Sequence, residues 1–150
     1  MATKTRIEVR GLRELGEAMR TLSADVARRV SRQATNAGAQ LIKRAAVANI
    51  DRSPSVDTGS LRGAVIVKKI PDKQTALTSE HIVTVRGRGK PKTKKGRKID
   101  RAPYASLLEF GTVNMPAEPF LRPAFEGAKN DAVGAIADKL RQRINKVKAA

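Results

Sequence analysis

Apolar positions recur along the chain with two different spacings, and the changes from one to the other mark its elements. Ile7 and Val9 alternate with Glu8 and Arg10, which predicts a short strand or extended arm. Leu12, Leu15, Met19 and Leu22 then fall on one helical face, predicting a short helix over Leu12–Leu22. Ser23 is a suitable N-cap for the next helix, with Asp25 in its first turn. Val26, Val30, Ala34, Ala37, Leu41, Ala45 and Ala48 step by three or four residues, so that helix extends to near Asn49. Its stripe is Ala-rich, which invites a close neighbour. Gly38 sits beside the stripe and lowers helix propensity unless close approach offsets the loss. Arg28, Arg29, Arg32, Lys43 and Arg44 make the other face basic, either as a solvated surface or as a polyanion contact.

Over Ala64–Ile70 and again over His81–Val85 the helical spacing gives way to runs rich in β-branched residues. Both read as strands, paired antiparallel. Between Arg86 and Arg101 apolar residues almost vanish, which predicts a flexible basic hairpin loop. A short helix is expected over Pro103–Phe110, stopped by Gly111, then a loop over Thr112–Pro119. Pro119, Pro123 and the nearby aromatics predict a rigid turn before the last helix, whose stripe is Val133, Ile136, Ala137, Leu140, Ile144 and Val147. The fold class expected is α+β: a small antiparallel sheet packed by a long amphipathic helix in the N-terminal half and a C-terminal helix. One domain is expected over residues 1–150, with the basic loop at 86–101.

Composition changes this picture in one respect. Of 150 residues 40% are hydrophobic and only 3% aromatic, so the core should be thin and partner subunits could complete it. Tyr104, Phe110, Phe120 and Phe125 are all the aromatics, gathered in one stretch with Gly111, Leu121 and Pro123. Core packing is the default reading for them and an assembly contact the alternative. Glu109 and Arg122, charged among apolar neighbours, suggest a pairing within or between subunits. In Asp57-Thr-Gly-Ser-Leu-Arg62, Asp57 or Thr58 would cap a turn through Leu61, Gly59 would permit tight backbone, and Arg62 could reach another subunit.

Charge adds a candidate ligand. The formal net charge is +17, which attracts polyanions: nucleic acid first, then an acidic protein surface, then an anionic membrane. The densest run holds Arg86, Arg88, Lys90, Lys92, Lys94, Lys95, Arg97, Lys98 and Arg101. It contains no aromatic residue, so phosphate contact without base readout is what it could offer. The chemistry of an enzyme is hard to assemble. There is no Cys, one His (His81), no phosphate-binding glycine motif and no acidic cluster, so no catalytic residue, metal or cofactor is expected. No apolar run is long enough to span a bilayer, and the opening residues lack the apolar core of a secretory signal.

An ordered set of short motifs carries a resemblance over nearly the whole chain. They are Gly11-Leu-Arg-Glu-Leu15, the Ala-rich basic helix, Asp57-Thr-Gly-Ser-Leu-Arg62, Ala102-Pro-Tyr-Ala105, Glu109-Phe-Gly-Thr112 and Pro119-Phe-Leu-Arg-Pro-Ala124. In this order and spacing the chain resembles the tail-completion, or head-to-tail joining, proteins of long-tailed bacteriophages and prophages. The resemblance implies a structural virion protein of the neck, with an α+β fold, working as a ring of commonly six copies. It implies the chain itself, head stopper or connector proteins, and tail terminator or tube proteins as partners, with genomic DNA passing through the lumen. It also implies a place in the virion after assembly in the host cytoplasm. The basic run departs from the shared motifs. The alternatives are a nonspecific nucleic-acid-binding protein and, on charge alone, an RNA-associated ribosomal-type protein.

Overall fold

A computed structural model describes residues 11–53, 59–70, 78–87, 93–94, 97–98 and 102–149. Two long helices form its spine. α2 (Ala24–Arg52) and α5 (Leu121–Lys148) run antiparallel along each other: Asn49 lies beside Phe120, and Gly38 beside Ala132 and Ile136. α1 (Leu12–Arg20) folds back near the far end, where Leu15 and Met19 cluster with Ala27, Val30 and Ile144. Leu12 stands half-exposed, so the α1 stripe is narrower than its spacing predicts.

The buried face of α2 is Ala27, Val30, Ser31, Ala34, Gly38, Ala39, Ala46 and Ile50. After Ala34 this set runs about one position later than the expected stripe through Ala37, Leu41, Ala45 and Ala48. The reason is that α2 is covered by two partners, α5 and the sheet, and the pair of contacts turns its buried face. Gly38 is the point of closest approach. A Cβ there would lie 2.7 Å from Ile136 Cδ1 and 3.0 Å from the Ala132 carbonyl oxygen. Ser23 occupies the N-cap with extended backbone, but its hydroxyl makes no capping bond; its carbonyl accepts the Ala27 N–H at 2.9 Å.

Gly59 (φ 62°) opens the single-turn α3 (Ser60–Ala64), which feeds directly into β1 (Val65–Lys69). β1 pairs antiparallel with β2 (His81–Val85), in register from Val65 opposite Val85 to Lys69 opposite His81. One face of this pair packs on α2. β3 (Thr93–Lys94) and β4 (Arg97–Lys98) form a separate small antiparallel pair inside the basic run. α4 (Ala105–Phe110) precedes the return to α5.

One boundary differs from expectation. Pro123 and Phe125 belong to α5 rather than to a turn before it. Pro123 falls in the first helical turn, where a backbone N–H would have no intrahelical partner, so its ring costs the helix little. The main core gathers Ala46, Ile50, Leu61, Ala64, Val65, Ala102, Ala105, Leu108, Phe120 and Ala124. Half of these are Ala, so the core is thin, and Phe120 is its one aromatic ring at full burial. Among the described residues no helix is long and apolar enough to cross a membrane.

Candidate functional site

The aromatic stretch builds a junction where α2 ends, α4 ends and α5 begins. Its shape starts at Gly111, which takes φ 73° with extended ψ, a region closed to other residues. A Cβ there would also lie 2.9 Å from the Ala117 backbone nitrogen. The chain turns back on itself through paired Thr112 and Met115, and the Glu118 N–H donates to the Leu108 carbonyl at 2.8 Å. Phe120 is thereby delivered to the core beside Ile50, Leu61 and Leu108, with 3% of its surface exposed.

Three side chains lock this return. The Glu109 carboxylate accepts backbone N–H bonds from Phe120 (2.8 Å), Leu121 (2.9 Å) and Arg122 (2.9 Å). Phe120 holds the N-cap position of α5 and has no side-chain oxygen, so the acceptor must come from elsewhere. The carboxylate also sits at the positive end of the α5 dipole. Asn49 donates through Nδ2 to the Phe120 carbonyl at 3.1 Å. The Ser53 hydroxyl, just past α2, donates to the Glu118 carboxylate. Two cavities flank the junction. One, of about 380 Å³, has Ile50, Leu61, Leu108, Pro119, Phe120 and Pro123 in its lining. The other, of about 390 Å³, lies between Val85, Ala102, Pro103, Phe110 and Leu121.

The sequence-predicted residues divide among several places. Phe120 is core, Tyr104 and Leu121 are half-buried against it, and Arg122 and Pro123 are exposed. Phe110 and Phe125 depart from the core reading, at 71% and 52% exposed. Phe110 projects from the outer face of α4, opposite buried Ala105 and Leu108, and the described residues leave it largely uncovered. Glu109 and Arg122 do meet, but Glu109 binds the Arg122 backbone amide. No ion pair between their side chains occurs among the described residues. Asp57 and Thr58 lie outside the described residues. Leu61 is fully buried, and Arg62, its side chain largely exposed, sits 3.5 Å from Asp51 of the same chain.

The basic run has a closed root. The Arg86 N–H donates to the Ala64 carbonyl (2.9 Å), and the Ala102 N–H donates to the Arg86 carbonyl (2.8 Å). The excursion therefore leaves and re-enters the fold at one point, at the end of β2. Lys94, Arg97 and Lys98 lie in its small strand pair, Lys94 opposite Arg97. Arg88, Lys90, Lys92, Lys95 and Arg101 lie outside the described residues.

His81, the one histidine, is tied into the fold. Its Nδ1 lies 2.9 Å from the Thr35 hydroxyl, which also contacts Ser79 at 3.1 Å. Burial, helped by the Lys69 charge, lowers its pKa below the usual value. Among the described residues no three His, Asp or Glu side chains gather as a metal site.

Sequence reasoning missed the Glu109 cap and the two cavities. The cap had a legible signal: a helix opening on Phe-Leu-Arg-Pro offers no capping side chain of its own, so a nearby carboxylate has to supply it. The cavities had none, because each arises where three or four elements meet, some of them distant in sequence.

Residues 13–111, from α1 through α4 and well over half of the chain, match the family model HK97-gp10-like, described as "Bacteriophage HK97-gp10, putative tail-component". No curated protein and no solved structure matches the chain. The match takes in the long basic helix, the strand pair, the root of the basic excursion and the Glu109-Phe-Gly motif. The chain thus belongs to the HK97-gp10-like family of bacteriophage tail components.

Proposed function

We propose that this tail component acts at the neck, completing the tail as a ring of identical subunits, with six the favoured number, between head connector or stopper proteins and tail terminator or tube proteins. The observation that carries the reading is the basic excursion rooted at Arg86 and Ala102 of a structural tail protein. The polyanion that a tail must pass is the genome, and a sequence-blind cluster of cations suits a duplex moving lengthwise. Nine cations from each of six copies would bring on the order of fifty positive charges to one opening. In this role the chain performs no catalysis and needs no cofactor. The Arg86–Arg101 run faces the lumen, and the aromatic junction faces neighbouring subunits.

Electron microscopy of particles made without this protein is the test. Filled heads and separate tails are expected; normal, infectious particles would refute the neck role. A nonspecific nucleic-acid-binding role is the second reading, motivated by the same +17 charge. It predicts strong duplex binding by the free chain together with normal joining of heads and tails.

A further inference from the structure

The α4–α5 junction carries both halves of a contact. One half is a knob. Phe110 is 71% exposed, Leu107, one turn earlier on the same face of α4, is 48% exposed, and Val113 in the following turn is fully exposed. With Phe125 these side chains expose roughly 400–500 Å² of apolar surface, about half of what each partner contributes to a stable interface. The other half is the cavity of about 380 Å³, whose lining joins apolar Ile50, Leu61, Leu108 and Pro123 to polar Asn49, Arg52, Ser53 and Glu118. A dry cavity of about 150 Å³ already takes benzene, so this one has room for an aromatic ring.

We infer that Phe110 of one copy seats in this cavity of a second copy. Size and polarity match: an aromatic knob, and a cavity with apolar side chains for its ring and polar ones beside them. Direction then decides the kind of assembly. Leu108 faces the cavity and Phe110 lies two residues later, about 200° around the α4 axis. Knob and socket therefore point in nearly opposite directions. A contact of that kind cannot be satisfied reciprocally by two copies, so it is head-to-tail and propagates until a ring closes. Copies carrying +17 each repel, so the contact must be short-ranged and apolar, and salt should strengthen it by screening.

This rests on the ring reading, and its test is separate. Phe110→Asp places a charge on the knob at an exposed position. Pro123→Glu places one at the mouth of the socket, at a first-turn position of α5 that accepts an acid. Circular dichroism and melting curves check that both fold as the wild type does. In sedimentation at high salt the wild type should assemble, and each variant should self-associate at least about thirtyfold more weakly. An equimolar mixture of the two variants has one intact contact per pair, and should give dimers and nothing larger. A monomeric wild type at all salt concentrations, or wild-type assembly by Phe110→Asp, or a mixture that stays monomeric, would overturn the contact. Particles that fail to join without the protein would keep the neck role standing even then, and normal particles would remove that role whatever the sedimentation shows.

Discussion

Replacing Glu109 with Ala should uncouple the start of α5 from α4. The wild-type carboxylate accepts three backbone N–H bonds at 2.8–2.9 Å, two of them at part-buried amides. Phe120 at the N-cap supplies no capping side chain of its own. Loss of an ordinary N-cap costs about 0.5–2 kcal/mol. Here the acceptor is charged, bonds to charged groups contribute more, and the helix dipole adds to them. A loss of about 2–4 kcal/mol follows, which lowers the melting midpoint by roughly 5–15 °C in a chain of this size. Glu109→Gln keeps the length and one carbonyl oxygen while losing the charge, so it should fall between. Thermal and urea unfolding measure the stability, and amide exchange locates the damage. Protection at Phe120, Leu121 and Arg122 should drop, while the α2–α5 contact at Gly38 should keep its own. A Glu109→Ala protein that melts within about 1 °C of wild type, with those three amides still protected, would show that the return to α5 is held by Phe120 packing alone.

Two glycines should respond oppositely to the same change. Gly38→Ala meets Ile136 and the Ala132 backbone, and overpacking of about 1–3 kcal/mol should exceed its gain in helix propensity. Gly134→Ala, with open space at its Cβ, should stabilise by up to about 1 kcal/mol; equal shifts in the two urea midpoints would refute this placement of the α2–α5 contact. His81 is the one histidine, so its proton resonance can be followed alone, and it should titrate below 6.5. Its folded pKa is lowered, so the unfolded chain binds the proton more readily, and the His81 contribution is present above 6.5 and is lost as pH falls toward the folded value. The slope of stability with pH in that window should flatten in His81→Gln, and an unchanged slope would assign it to other groups.

How much of this was legible beforehand differs by element. The helices, both strands and their antiparallel pairing follow from local patterns. Leu15 and Met19 repeat at helical spacing, and Val65, Ile66 and Val67 form a β-branched run ended by Pro71, so local period and residue type determined them. The α+β class was settled there. The basic excursion was equally visible, because nine cations with Ile99 as the one large apolar residue among them cannot build core. The motif order pointed at a phage tail family for the same reason, since the turns and caps that it marks are local.

What the sequence left open was decided by contacts between distant residues. Four aromatics in one stretch look alike in a list, yet Phe120 is core while Phe110 and Phe125 face outward. The difference comes from Gly111, whose left-handed turn leaves Phe110 behind and carries Phe120 back onto Leu108. The α2 stripe predicted a buried face, but two partners pressing on one helix rotated it by about a residue. Glu109 and Arg122 looked like an ion pair, and instead a helix start without a capping side chain of its own claimed the carboxylate for its backbone. Local spacing determines which side chains share a face of an element; only the packing of α2, α4 and α5 determines which face meets a neighbour and which is left open.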